Sequence, residues 1–195
     1  MKKYIYLFAL LSLSIACHDD DEIPQPTPEP EVSEIDKLPP ATQNGANTVG
    51  CLLNGKAFLP SGKSTGGSNS NPYCAYYHDS FVLVFRIVRN EENFSGNGTE
   101  SVAVYSSNVI LQQETTYSLQ KDNSNHYGAY RIMKKNSNLS YETNDEYIGE
   151  LYIDKLDKEN NIISGTFWFD AANEQGKTVE IREGRFDMVF EGWAG

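Results

Sequence analysis

Tyr147-Ile148-Gly149-Glu150-Leu151-Tyr152-Ile153, and then Ile163-Ser164-Gly165-Thr166-Phe167-Trp168-Phe169, read as two β-strands laid against each other. Both alternate apolar and polar side chains, the period of a half-buried strand rather than the 3.6 of a helix. Leu151 and Ile153 share one face of the first; Ile163, Gly165, Phe167 and Phe169 share one face of the second. A register that pairs Leu151 with Phe167 joins these apolar sets. It sends Glu150, Tyr152, Thr166 and Trp168 to the other side. Asp157-Lys158-Glu159-Asn160-Asn161, rich in turn-forming residues, closes the hairpin.

The same alternation recurs along the chain. Phe81-Val82-Leu83-Val84-Phe85-Arg86-Ile87-Val88 is apolar on both faces, which predicts a central strand covered on both sides. In Thr178–Phe190 the inward set changes parity, from Val179 and Ile181 to Phe186, Met188 and Phe190. The change falls at Glu183-Gly184 and fits either a β-bulge or a two-residue turn. Weaker strands are expected near 48–53, 73–78, 101–106, 116–120 and 127–134. Gly62–Pro72, which contains Gly66-Gly67-Ser68-Asn69-Ser70-Asn71, is expected to be a long flexible loop. No segment sustains a helical apolar period. The fold class is therefore all-β, an antiparallel β-sandwich or flattened β-barrel, as one domain over residues 37–195.

The N-terminus is of another kind. Lys2 and Lys3 precede an apolar run from Tyr4 to Ile15, too short to span a bilayer. Leu13-Ser14-Ile15-Ala16-Cys17 resembles a lipobox, so residues 1–16 read as a lipoprotein signal peptide and Cys17 as the lipidated residue. Residues 17–36 read as a tether with eight acidic residues, no Lys or Arg, and Pro24, Pro26, Pro28 and Pro30. Like charges and proline keep such a segment extended. At roughly 3.1 Å per residue it reaches about 60 Å. An acidic cluster just after the lipidated cysteine resembles the surface-export signal of lipoproteins in Bacteroides-type bacteria, which implies an outer-membrane, surface-exposed protein held by lipid on Cys17.

The chain carries a formal charge of −11. Residues 37–195 hold fourteen basic and nineteen acidic side chains, a balance of −5 without a basic stripe. That excludes the counterion-release chemistry of a nucleic-acid binder.

Leu38-Pro39-Pro40-Ala41-Thr42-Gln43-Asn44-Gly45, then Asn47-Thr48-Val49-Gly50-Cys51-Leu52-Leu53-Asn54-Gly55, resembles the opening of a family of β-rich lipoproteins of unknown function from Bacteroides-type bacteria. Val49 departs from it, Phe being usual there. Ile163-Ser164-Gly165-Thr166-Phe167 and Gly184-Arg185-Phe186-Asp187 are similar to its C-terminal part. The resemblance implies an all-β lipoprotein and supplies no catalytic residue.

Chemistry-bearing residues are sparse. His78 and His126 lack the paired spacing of a zinc site with Cys51 and Cys74. No G-x-S-x-G accompanies them, and no nucleophile is evident. Asp154, Asp157, Glu159 and Asn161, or Asn144-Asp145-Glu146, offer oxygens to calcium but lack its glycine-centred loop. No metal and no cofactor is expected. Cys51 and Cys74 pair as a disulfide or stand as separate buried thiols. Aromatic side chains remain. Trp168 and Tyr152, beside Glu150, and the cluster Tyr73, Tyr76 and Tyr77 are candidates for stacking on a sugar or anchoring a partner, or else are core. The leading expectation is a non-enzymatic module for a glycan, a small ligand or a protein. A structural envelope role without a ligand comes second. A hydrolase built on carboxylates such as Glu150 comes third.

Overall fold

The hairpin forms in the expected register. Gly149–Asp157 pairs antiparallel with Ile162–Ala172, and Leu151 stands opposite Phe167. Leu151, Ile153, Ile163, Phe167 and Phe169 are buried, while Glu150 and Thr166 are exposed and Tyr152 and Trp168 half-buried. This is a computed structural model that describes residues 32–62, 70–89, 98–121, 125–134 and 137–192. The expected signal peptide, Cys17 and most of the expected tether lie outside the described residues, as does 63–69 of the expected flexible loop.

Eleven strands follow one another: β1 Thr48–Leu53, β2 Lys56–Phe58, β3 Tyr73–Tyr77, β4 Ser80–Arg89, β5 Gly98–Ser106, β6 Thr115–Leu119, β7 His126–Lys134, β8 Ser137–Glu142, β9 Gly149–Asp157, β10 Ile162–Ala172 and β11 Thr178–Val189. These strands all pair antiparallel. One layer runs β2-β1-β11-β10-β9-β6. The other runs β8-β7-β5-β4-β3. They join at the strand pair Ala172 with Glu142 and again at a parallel bridge between Ala75 of β3 and Glu191, just past β11, while the path from β2 to β3 does not close. Of the two architectures expected, the chain adopts the sandwich.

Rings from the two layers meet in the core. Phe85 of β4 lies edge to face with Phe58 of β2 at 5.6 Å and with Phe167 of β10 at 6.2 Å. Phe81 lies 6.1 Å from Phe186 of β11, tilted by 34°. Full burial of such a side chain contributes about 1.5–3 kcal/mol, so the inter-layer rings dominate the packing. Glu183-Gly184 resolves as a bulge. β11 continues through it, Glu183 adopts φ 53°, and the register against β10 slips between Phe167 and Phe169. The extra residue moves Phe186 and Met188 onto the face that Ile181 occupies.

β4 departs from expectation. Phe81, Leu83 and Phe85 are buried, but Val82, Val84, Ile87 and Val88 are only half-buried. One face is core and the other is the floor of an open surface.

The segment ahead of β1 is a strap. Asp187 is 1% exposed. Its carboxylate accepts from Thr42 Oγ1 at 2.6 Å and from the backbone N–H groups of Gly45, Asn44 and Ala46 at 2.7, 3.0 and 3.2 Å. Burial alone would raise its pKa, yet these donors outweigh it and hold the carboxyl below its ordinary value. Asn47 Oδ1 accepts from Val189 N at 3.0 Å. Asn54-Gly55, both at positive φ, makes the two-residue turn into β2. The block that resembles a family opening thus has a physical role, lacing the chain to β11.

The fold also begins earlier than composition suggests. Val32 already belongs to the compact unit. Ser33–Lys37 forms a turn around a short 3₁₀ helix, Ile35–Lys37. Glu34 accepts from Ala57 N at 2.8 Å and pairs with Lys37 at 2.8 Å, which lowers its carboxyl to about 2. Glu34 and Asp36, which composition assigns to the tether, are therefore part of the domain. Their acidity matches spacer composition, but specific donors meet the Glu34 carboxylate.

Cys51 and Cys74 are separate thiols, both buried, so the disulfide is not formed. Burial pushes both thiols well above their ordinary pKa. Neither should react with a thiol reagent such as Ellman's until the protein unfolds, and reductant should leave the thermal midpoint unchanged. A native-state reaction at either cysteine contradicts this packing.

Candidate functional site

The expected ligand residues separate onto the two outer faces, and one of them leaves the surface. Tyr76 is fully buried; its hydroxyl accepts from Leu111 N at 2.8 Å and its ring packs 5.8 Å from Phe190. It is core, because strand alternation points it inward between the outward Tyr73 and Tyr77. The other five candidates keep an exposed or half-buried position.

On the first layer, Glu150, Tyr152 and Trp168 come together as their parity requires. Trp168 pairs with Glu150 across β9 and β10, and Tyr152 pairs with Thr166 in the next row. Trp168 Nε1 donates to Glu150 Oε2 at 3.2 Å. A neighbour that spacing does not single out completes the group. Arg182 Cζ sits 5.5 Å from the centre of the indole, within the range of a cation–π contact. Its guanidinium donates to Asp170 Oδ1 at 2.7 Å and to the carbonyls of Ile181 and Phe169 at 2.9 and 3.2 Å. Beside them lies an open cavity of about 560 Å³, lined by Trp168, Thr166, Arg182, Glu183, Arg185 and Ala41 among others. The Glu183-Gly184 bulge carries Arg182 and Arg185 to its rim. Arg185 reaches the Glu183 carboxylate at a long 3.6 Å.

This surface combines an indole, guanidinium donors and the acceptors Glu150, Asp170 and Glu183. It can stack one face of a ring and donate to or accept from hydroxyls around its edge. Glu150 is exposed and Asp170 is tied to Arg182.

The second layer presents Tyr73 and Tyr77 on the outside of β3, with Tyr77 50% exposed. Ala75 lies between them, and Val82 of β4, Tyr105 of β5 and Tyr127 of β7 continue its row. Tyr105 and Tyr127 stack with centroids 4.6 Å apart and planes 16° from parallel. Spacing gives no sign of this pair, because 22 residues separate the two tyrosines and only the β5–β7 register brings them together.

His126 Nδ1 lies 2.8 Å from Ser106 Oγ, but both residues are buried and burial lowers the histidine pKa. His78 occupies the tight turn between β3 and β4 with φ 51°. The Asp157 carboxylate is used within its own turn by Asn160 N and Nδ2 at 3.1 and 2.8 Å. Among the described residues no group of three or more His, Cys, Asp or Glu is placed to hold a metal ion.

A family model described as a domain of unknown function, DUF6252, matches residues 90–189. That span runs from β5 through β11 and includes the Trp168 face. No curated protein and no solved structure matches the chain.

Proposed function

Because the chain belongs to the DUF6252 family, whose description assigns no activity, we propose that it is a non-enzymatic binding module whose Trp168 face takes a glycan. We place it on the outer surface of a Bacteroides-type cell, lipidated at Cys17. The observation that carries the binding role is Trp168 itself. It is half-buried beside an open cavity of about 560 Å³, with arginine and carboxylate side chains at its edge. An indole fixed on both flanks loses little freedom on binding, and stacking plus edge hydrogen bonds suits a pyranose ring. A long spacer between lipid and domain is consistent with capture of material away from the membrane.

The test is a glycan array followed by calorimetry on the chain carrying Cys17→Ser. Trp168→Ala should weaken the captured oligosaccharide by about tenfold or more, the usual scale for an aromatic hot spot, with the melting midpoint little changed. An array without a ligand, or a ligand indifferent to Trp168→Ala, overturns the reading. Turnover of the oligosaccharide overturns its non-enzymatic part.

A further inference from the structure

We propose that the outer face of the second layer holds a second, independent site, a slot for one flat, uncharged aromatic ring stacked on Tyr105. Tyr105 and Tyr127 are direct cross-strand partners, and their centroid separation of 4.6 Å is close to one strand spacing. Two rings nearly parallel at that separation stand upright on the sheet and stack along the direction that runs from strand to strand. Tyr127 therefore covers one face of Tyr105. The Arg131 guanidinium approaches the same ring, its Cζ 5.5 Å from the centre and its Nη1 on the hydroxyl, and the side left open looks over Val82 towards β3.

That view opens on a cavity of about 350 Å³ lined by Tyr73, Ala75, Tyr77, Val82, Tyr105 and Tyr127, with Ser80, Ser106 and Ser107 also along its lining. The floor under the free face is Val82, the partner of Tyr105 on β4, followed by Ala75, the partner of Val82 on β3, which is itself buried. Tyr73 and Tyr77, two residues either side of Ala75, form the far wall. From β5 to β3 is two strand spacings, about 9.6 Å, which leaves room for one ring beside Tyr105 and its substituents. A stack of several rings does not fit.

The chemistry of the walls selects the ligand. The slot is lined by Tyr, Ser, Ala, Val and Phe alone, and the nearest cations, Arg131 and Lys121, are each paired with Glu142, so a charged ligand would lose hydration for counter-charges that are already engaged. A sugar would find few fixed acceptors or donors there, in contrast to the Trp168 face. A cationic ligand is disfavoured as well. Arg131 Nη1 donates to the Tyr105 hydroxyl at 2.8 Å, drawing electron density from that ring, and Lys121 lies 5.5 Å from the Tyr127 ring. Rings so polarised favour a neutral π-face over a second cation. Arg131 is itself held by Glu142 at 3.3 Å, so the wall is braced before any ligand arrives.

The full-length chain is titrated by calorimetry with 2-naphthol, a flat neutral ring system with one hydroxyl, and with its saturated counterpart decahydro-2-naphthol. The expected result is binding of 2-naphthol, about tenfold weaker binding of the saturated alcohol, and about tenfold loss on Tyr105→Leu. Tyr105→Phe, which keeps the ring, should stay within about threefold. Val82→Phe should block the slot from its floor and serves where Tyr105→Leu fails to fold. Trp168→Ala should leave 2-naphthol binding unchanged, which separates this site from the glycan face. Equal binding of the two alcohols, tighter binding of tetramethylammonium or methyl glucoside, or no binding of 2-naphthol by the folded protein overturns the proposal.

Discussion

Asp187→Ala should destabilise the domain by about 3 kcal/mol, the range for removing one partner from a buried, charged hydrogen-bond set. The substitution leaves the backbone N–H groups of Asn44, Gly45 and Ala46 and the Thr42 hydroxyl without their acceptor. Without it the strap loses its tie to β11 and its packing of Gly45 over Val189 and Ile162. Asp187→Asn should cost less, about 2 kcal/mol, since the amide keeps one acceptor oxygen but turns a donor towards donors. Urea denaturation measures both. The pH dependence has a definite sign. The folded pKa lies below the ordinary 3.8, so the contribution is complete above that value. It is lost as the pH falls through the depressed folded value. Wild type and Asp187→Asn should therefore converge in stability under strong acid. Equal stability at neutral pH contradicts the strap.

Gly165→Ala should be at least as damaging, costing about 4 kcal/mol or preventing folding, a size reserved for changes the backbone cannot absorb. A Cβ at this position would lie 2.0 Å from the Tyr152 carbonyl oxygen and 3.1 Å from the Phe186 ring. The nearer contact is backbone, so no rotamer relieves it. The register of β9 against β10 slips between Ser164 and Gly165, and the two strands approach closely there. Relief requires the strands to part where Leu151 and Phe167 meet. Gly176, in the turn between β10 and β11, offers the contrast. A Cβ there meets nothing within 4 Å, and only its φ of 73° opposes a side chain. Gly176→Ala should cost about 1 kcal/mol. Thermal unfolding of the two variants gives the comparison; equal midpoints would sink the argument from close approach.

The elements legible in the sequence are those whose side chains alternate strongly. β9, β10 and the parity change in β11 can be read because Leu151, Phe167 and Phe186 leave few arrangements that bury them all. β2 escapes such a reading because three residues, Lys56-Ala57-Phe58, carry no period. β8 escapes it because Ser137-Asn138-Leu139-Ser140-Tyr141-Glu142 is polar except at two positions, and its partner strand supplies the rest of the burial. β4 looks covered on both sides because alternation reports hydrophobicity, not what lies above it. For the candidate site, local parity places Glu150, Tyr152 and Trp168 on one face. Arg182, Tyr105 and Tyr127 join their neighbours through a bulge and a distant register, and neither leaves a mark at the level of spacing. Asp187 stands out in the sequence only as part of a resemblance, because the donors it gathers lie more than 140 residues away.

Glu34 has a consequence beyond anchoring a turn. β2 is the margin of its layer, and a sheet margin is a template onto which another chain can add a strand. By occupying the Ala57 N–H with a carboxylate, the incoming segment blocks one rung of that template and sets a negative charge beside it. With that N–H occupied and a carboxylate beside it, the margin is a poorer template for a second copy of the chain.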